Sequence, residues 1–318
     1  MRPSTKLSPS AEAASRSAPP PAGGTPQASA LRHRWGRYTP LLLSAPAVLI
    51  LLFAFVIPVV LLAIVSFFPN DDLTGMHTGF RPSNYNYFWT QRYFFSAMGR
   101  TFSVALLTTL LTAVISYPLA LVLNRRGRRV RVVVAMIVVL PIFVSMVERT
   151  LGWLSIYSSG GLLDRFGMLF GFHFPSLLYS ERGLVIGLTN MLLPFMFLSV
   201  YAAVRRIDPL VREAAATLGA SPARVFWKVT LPLTYSGLSA GATLVFSLAA
   251  SNVIVTMMLG GTGMTTLPTL LYEEATVSVN FPLSAVVGVS VSALILVAIW
   301  VIMRLGGKSN RHETVVLP

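Results

Sequence analysis

Six long apolar stretches limit what this chain can fold into. Each is close to or above the ~20 residues that an α-helix needs to cross the hydrocarbon core of a bilayer. Hydrophobic residues make up 54% of the chain and charged residues only 11%, against about 25% charged residues in soluble domains. Only helices and closed barrels satisfy their backbone inside lipid, so the pattern predicts an all-α integral membrane protein. We place its six transmembrane helices at about 41–67, 101–123, 130–147, 183–204, 236–259 and 283–305.

The segments outside these spans divide the chain further. Residues 1–38 are rich in Ala, Ser, Pro and Gly without hydrophobic periodicity, so we predict a disordered tail. Residues 39–306 form the transmembrane domain, which includes a polar segment at 208–232 between the fourth and fifth spans. Residues 307–318 form a second polar tail.

The distribution of basic residues predicts the orientation of the chain. A net charge of +14 suggests a nucleic-acid partner at first, but the basic residues stand in tails and short loops beside the spans. Most of the 25 Lys and Arg residues lie in the two tails and in the loops after the second and fourth spans. Because positively charged loops stay in the cytoplasm, we expect both termini and the segment 208–232 to be cytoplasmic. We expect no nucleic-acid partner.

The polar segment 208–232 has the residues of a helix–turn–helix. Asp208–Pro209 suits a helix N-terminus, where Asp caps and Pro takes the first position. Gly219 predicts the end of that helix, because glycine adopts the left-handed conformation without strain. Ser221–Pro222 begins a second helix, and Leu231–Pro232 ends it. The physics alone leaves open whether this loop is a docking knuckle or an amphipathic connector resting on lipid headgroups.

The same residues resemble a known loop. Glu213-Ala214-Ala215, Gly219, Val229 and Leu231-Pro232 are similar to the EAA loop of ATP-binding-cassette (ABC) importer permeases, with Val229 in place of isoleucine. The resemblance implies a MetI-like permease fold whose loop is cytoplasmic and docks into a dimer of separate ATPase subunits. It also implies a second permease subunit, an external solute-binding protein and no cofactor in this chain, since ATP and Mg²⁺ belong to the ATPase.

A second resemblance concerns the branch of that family. The stretch ERTLGW (148–153), Gly160–Gly161 and LLPFMFLSVYAAVRRIDP (192–209) are similar to spermidine/putrescine-like permeases. With the loop, the resemblance covers about residues 97–296. It implies a multi-pass protein of the bacterial cytoplasmic (inner) membrane that transports a polyamine or another small organic cation.

Polar residues inside the spans are candidates for a solute path, because they are costly in lipid and usually face a partner helix or water. They lie in the fourth and fifth spans: Asn190, Ser247, Ser251, Asn252 and Thr256. Hydrogen bonding between helices is the alternative interpretation. At the end of the third span, Glu148 and Arg149 either neutralise each other, or Glu148 attracts a cation at the outer mouth, an attraction that the adjacent Arg149 weakens.

Several chemistries lack their motifs in this sequence. The only Gly-Lys-Ser, at 307–309, has Ile302 where a phosphate-binding loop needs its first glycine. There is no cysteine, and the four histidines are scattered, so we predict neither a metal site nor an enzyme. The remaining alternatives are an ion-coupled secondary transporter or channel, and a scaffold subunit. No span carries a carboxylate near its centre, which disfavours proton relay by this chain.

Overall fold

The structure is a computed structural model that describes residues 26–71, 75–171, 176–261 and 263–307. Most of the predicted N-terminal tail and the segment 308–318 therefore lie outside the described residues. Contacts divide the chain into two units between Val59 and Val60. The described part of the first unit is the helix α1 up to Val59, and the second unit holds the remaining elements.

Helices make up nearly all of the described secondary structure. Short turns of 3₁₀-helix at Leu140–Phe143 and of π-helix at Phe226–Thr230 and Thr256–Gly260 interrupt them. A small antiparallel hairpin pairs Asn70–Asp71 (β1) with Gly75–Met76 (β2). The helices are α1 Pro26–Val65, α2 Ser83–Thr90, α3 Arg92–Asn124, α4 Arg128–Val139, α5 Met146–Tyr157, α6 Leu162–Leu169, α7 Glu181–Arg206, α8 Pro209–Thr217, α9 Pro222–Val225, α10 Leu231–Leu233, α11 Tyr235–Ala250, α12 Leu267–Thr276 and α13 Phe281–Gly307.

The membrane-spanning character follows from four of these helices. Val48–Val65 within α1, together with α3, α7 and α13, are long and apolar enough to cross a bilayer. Two bent helix pairs raise the number to six if each pair is one span. The all-helical membrane fold with up to six spans was thus predicted correctly from the apolar runs.

The helix α1 begins earlier than the predicted first span. It starts at Pro26, so residues 26–38, which we predicted to be disordered, are helical. The sequence PQASALRHRW contains several good helix formers. Extending an existing helix costs far less than nucleating one, so the adjoining apolar span carries the helix backwards.

The third and fifth predicted spans are broken rather than straight. The chain bends by 100° between the α4 segment, which ends with the 3₁₀ turn at Phe143, and the segment that begins at Met146. Pro141 lies in that turn and lacks the amide hydrogen that continues an α-helix. The predicted third span, 130–147, therefore includes a bend, and α5 continues beyond it. The helix α11 ends at Ala250, short of the predicted boundary at 259.

The central core lies where α3, α7 and α11 pack together. The side chains of Phe197, Met196 and Phe246 are almost completely buried there. A Cβ atom on Gly237 would collide with Ala203 and would lie 2.7 Å from the carbonyl oxygen of Ser199. The Gly237–Gly241 pair therefore lets α11 approach α7 closely, as its spacing predicts.

A second cluster joins α2, α3, α12 and α13. Phe88, Leu267 and Val286 are buried at its centre. The side-chain amide of Asn84 donates to the carbonyls of Ser66 and Phe68 at 3.0 and 2.9 Å. These bonds attach α2 to the end of the first span.

Candidate functional site

The predicted helix–turn–helix is present at Asp208–Leu233. Asp208 caps α8, since its Oδ1 accepts from the Leu210 amide at 2.9 Å. Gly219 has φ +76°, and the Ala220 amide donates to the carbonyl of Ala215 at 3.2 Å. This bond, between the third residue past the helix and its third-last residue, is characteristic of a Schellman turn. The exposed fraction of Leu218, beside Gly219, is 88%, so the turn presents an uncovered leucine.

The motif residues of the loop fall on both of its helices. Glu213, Ala214 and Ala215 lie in α8. Ser221 caps α9, accepting from the Arg224 amide at 3.4 Å, and Pro222 follows it. The second helix does not end at Leu231–Pro232 as predicted.

The helix instead passes through a π-helical turn and continues to Leu233. The Leu231 amide donates to the Phe226 carbonyl, five residues back, and Val229 lies inside this turn, half-buried. Pro232 has no amide hydrogen to donate to the preceding turn, and the wider π-helical turn just before it accommodates this loss. The bend comes after Leu233, where α11 leaves at 66°.

A buried junction connects this loop to the core. Thr234, at the bend, is fully buried and forms a short hydrogen bond with the hydroxyl of Tyr117 on α3. The Phe226 ring of the loop packs edge-on against the Tyr117 ring, with 5.4 Å between centroids. Loop, bend and α3 therefore meet at one aromatic contact. Sequence reasoning missed this junction, since a lone tyrosine within an apolar span gives no signal of its partner.

The predicted path residues Arg149 and Asn190 are brought together. The Arg149 guanidinium donates to the Asn190 backbone carbonyl at 3.1 Å and to its Oδ1 at 3.4 Å. It also donates to the Pro141 carbonyl at 3.3 Å, across the bend. Pro194 lies four residues after Asn190 and has no amide hydrogen to give that carbonyl. Arg149 thus supplies a donor at the place where α7 lacks one.

Glu148 stands apart from its neighbour. It lies exposed in the first turn of α5, where a negative charge is favourable at the helix N-terminus. Among the described residues no ion pair joins Glu148 to Arg149. Mutual neutralisation is therefore not the arrangement of this pair.

Asn252 lies at the break that follows α11. Its Oδ1 accepts from the Val255 amide at 2.9 Å, and its Nδ2 approaches the Met146 sulfur at 3.4 Å. Asn252 thus caps the next helical turn and contacts the start of α5. The sequence signal for this cap was available, because Asn inside an apolar run competes with helix continuation.

The hydroxyl residues of the predicted path bond to their own segment. Ser247 donates to Thr243, Ser251 to Ser247 and Thr256 to Asn252, each to a carbonyl four residues back at 2.8 Å. Thr256 is buried, whereas Ser251 is exposed. Each of the three hydroxyls thus donates within its own segment of the chain.

The fold and these two features define a class. The structure is that of a multi-span helical protein with two broken spans and a capped helix–turn–helix beside its core. The chain belongs to the family of binding-protein-dependent transport system inner membrane components, whose family model matches residues 114–308. It is a permease subunit of an ABC importer and a multi-pass protein of the inner membrane, as the EAA-like residues predicted.

Relatives in the same family transport different solutes according to their names. The spermidine/putrescine transport system permease protein PotB of Haemophilus influenzae is 29% identical over 265 residues, which cover 82% of this chain and 92% of the relative. PotB of Escherichia coli K12 is 27% identical over 269 residues, covering 83% and 97%. A putative 2-aminoethylphosphonate transport system permease protein, PhnU of Salmonella typhimurium, is 28% identical over 243 residues, covering 73% and 84%.

Solved structures show the same fold. A chain of a bacterial ABC transporter involved in the import of the acidic polysaccharide alginate matches with a TM-score of 0.69. The match covers 89% of this chain and 99% of that chain at 17% identity, so it supports the permease fold alone.

Proposed function

We propose that this permease carries a small organic cation, of the polyamine class, across the inner membrane between two permease subunits. A soluble binding protein delivers the cation on the outer side, and a pair of ATPase subunits drives the transport from the cytoplasm. The names of the PotB relatives support the solute class. The aminoethylphosphonate relative names the main competing solute.

The turn at Gly219 is the observation that carries the coupling proposal. A Schellman turn with an exposed Leu218 presents an apolar side chain whose burial against another protein is favourable. We assign Glu213, Ala214, Ala215 and Gly219 to the contact with the ATPase. We assign Val229, Leu231 and Pro232 to the part of the loop that transmits movement of the ATPase to the transmembrane helices.

The buried junction supports this transmission. ATP-driven closure of the ATPase pair moves the loop, and the bend at Thr234 passes the displacement to Tyr117 on α3. A packed core transmits small shifts because it resists compression. The helices then rock between outward-facing and inward-facing states, and nucleotide binding to the ATPase pair shifts the balance between them.

The solute path is assigned to the two broken spans. Glu148, Asn190 and Ser251 are exposed and Asn252 is half-buried beside the breaks, where backbone and polar side chains accept a cation more readily than a smooth helix face does. Arg149 is a positioning residue in this proposal rather than a ligand. Its bonds to carbonyls hold the bend against α7.

Orientation and coupling are tested with one cysteine at a time, because the natural chain has none. We expect Leu218→Cys to react with a membrane-impermeant maleimide only in inverted vesicles. Ser278→Cys, at the other end of the bundle, is the matched control and reacts only in right-side-out vesicles. Labelling of Leu218→Cys from outside intact cells contradicts the cytoplasmic loop.

Co-purification and uptake test the rest of the proposal. The wild-type chain is expected to co-purify with an ATPase, and Gly219→Val to lose that partner while still inserting. Deleting the gene is expected to abolish uptake of labelled spermidine. Uptake by the isolated chain in vesicles without ATP supports a secondary transporter instead.

A further inference from the structure

A cavity of about 800 Å³ lies at the end of the bundle opposite the coupling loop. Its walls come from the start of α3, the segment before α7, the turn after α11, and α12. The helix α7, which is 26 residues long, separates its floor from the loop by ~39 Å at 1.5 Å per residue. The volume is within the range of about 300–1,000 Å³ that small-molecule sites occupy.

Three phenol rings and one carboxylate face this cavity. Tyr93, Tyr179 and Tyr272 line it, and each is about half exposed or more. Glu273 lines it beside Tyr272 and is exposed. Aromatic faces attract cations through the negative potential of the ring, and a carboxylate adds charge-assisted hydrogen bonds to ammonium groups. We call these four residues the tyrosine cavity.

One of the rings is held in place by an unusual backbone. Tyr179 has φ +60°, and its amide donates to the Leu259 carbonyl at 2.9 Å. Its ring lies against Gly261, where the Cβ of any other residue would collide with it. A non-glycine residue in the left-handed region is strained and persists only where the surroundings enforce it.

The charges around the cavity favour a cation. The segment 260–282 carries Glu273 and Glu274 and no Lys or Arg. Burial raises the pKa of the Glu274 carboxyl, a hydrogen bond from Ser278 opposes that shift, and the charge of Glu273 adds to it. One positive group stands at the rim, since Arg100 donates to the carbonyl of Gly263 at 3.2 Å. Arg100 therefore opposes the attraction that Glu273 provides.

We propose that the tyrosine cavity binds an alkylammonium ion, with Glu273 pairing with an ammonium group and the tyrosine rings covering the methylene chain. This inference rests on the proposed function, in which an organic cation arrives at this end of the permease. The cavity is the first site on this chain that binds the cation, before it reaches the broken spans. If the three tyrosines served only to anchor the chain at the lipid interface, they would bind no soluble cation.

Binding is measured by calorimetry on the full chain in nanodiscs of phosphatidylcholine, with spermidine as the probe. The neutral lipid prevents spermidine from binding to anionic headgroups. We expect Glu273→Gln to weaken binding by about tenfold or more, the effect of losing a charge-assisted hydrogen bond. Glu274→Gln removes the same charge one residue away, outside the cavity, and is expected to change binding less than about threefold for an indirect effect.

Two further variants test the parts of the site separately. Tyr272→Leu removes a ring and is expected to weaken binding severalfold, whereas Tyr272→Phe keeps the ring and leaves binding near the wild-type value. Arg100→Gln removes the opposing charge, so its effect has the opposite sign, and we expect spermidine to bind more tightly. A site elsewhere on the chain does not produce this pattern.

The outcomes separate this inference from the proposed function. Equal effects of Glu273→Gln and Glu274→Gln, or no spermidine binding by the wild-type chain, overturn the tyrosine cavity. Spermidine uptake that persists after the gene is deleted overturns the proposed solute, while binding in the nanodiscs still decides the cavity. Wild-type uptake by the Glu273→Gln transporter at limiting spermidine overturns the cavity and leaves the solute standing.

Discussion

Arg149 donates to the backbone carbonyl of Asn190 at 3.1 Å, and Pro194, four residues further along α7, has no amide hydrogen to offer that carbonyl. A proline in one span is thus complemented by an arginine from the broken span beside it. The same guanidinium holds the Pro141 carbonyl across the 100° bend.

Replacing Arg149 tests whether its guanidinium takes the place of the amide hydrogen that Pro194 lacks. We expect Arg149→Met to lower the free energy of unfolding by ~1–3 kcal/mol, the range for a hydrogen bond from a charged donor. In a Pro194→Ala background, the new amide serves the Asn190 carbonyl, so the same substitution costs less. Thermal unfolding of the four variants in detergent measures the difference, with Arg165→Met as an exposed control. Equal costs in both backgrounds contradict the relationship.

The turn at Gly219 is tested by substitutions that differ in how readily they adopt a positive φ. Because φ is +76° and no neighbouring atom lies within 4 Å of a built Cβ, the penalty is conformational rather than steric. We expect Gly219→Asn, which tolerates this region, to keep the ATPase bound. Gly219→Val is expected to lose it, since a β-branched residue is an outlier there. The measurement is the amount of ATPase recovered with the purified permease. Equal recovery from the two variants shows that the turn does not need the left-handed conformation.

The hydroxyl bond between Tyr117 and Thr234 is expected to affect coupling. Tyr117→Phe keeps the ring against Phe226 and removes the bond, at a stability cost of about 0.5–1.5 kcal/mol. We expect more ATP to be hydrolysed per solute transported, because the bend at Thr234 is then held less firmly to α3. Thr234→Val also removes the bonds of Thr234 to the carbonyls of Thr230 and Leu231, so stability alone does not isolate the Tyr117 bond. In the same background it adds little to the loss of coupling if the two residues act through one bond, whereas additive losses of coupling indicate separate roles.

Because α11 packs closely on α7, replacing glycine by alanine is expected to change stability in opposite directions at two positions. Gly237→Ala places a Cβ against Ala203 and Ser199, and overpacking of this kind costs ~1–3 kcal/mol. Gly99→Ala, in α3, meets nothing within 4 Å and is expected to stabilise the helix by ~0.5–1 kcal/mol. Melting temperatures of the two variants should therefore move in opposite directions. A stabilised Gly237→Ala variant contradicts the close approach.

The apolar runs and the capping and turn residues of the loop were sufficient to predict the spans and the helix–turn–helix. A span needs a run of fixed length in lipid, and caps such as Asp208 and Ser221 act on amides only two or three residues away. Both signals are local, so the sequence carries them without knowledge of the fold.

The breaks and the contacts between helices were harder to predict. Pro141 marks the third span as irregular, but the bond from Arg149 to Asn190 beside the bend joins residues 41 positions apart in the chain. Asn252 was interpreted as a path residue, although it also caps the next turn. The partner of Tyr117 lies 117 residues away, beyond any pattern of spacing.

The uncovered Leu218 has a consequence for how the cell must produce this chain. An exposed leucine at the turn is available for non-specific apolar contacts until the proposed ATPase partner covers it. Copies of the chain made in excess of that partner are therefore open to aggregation and to proteolysis.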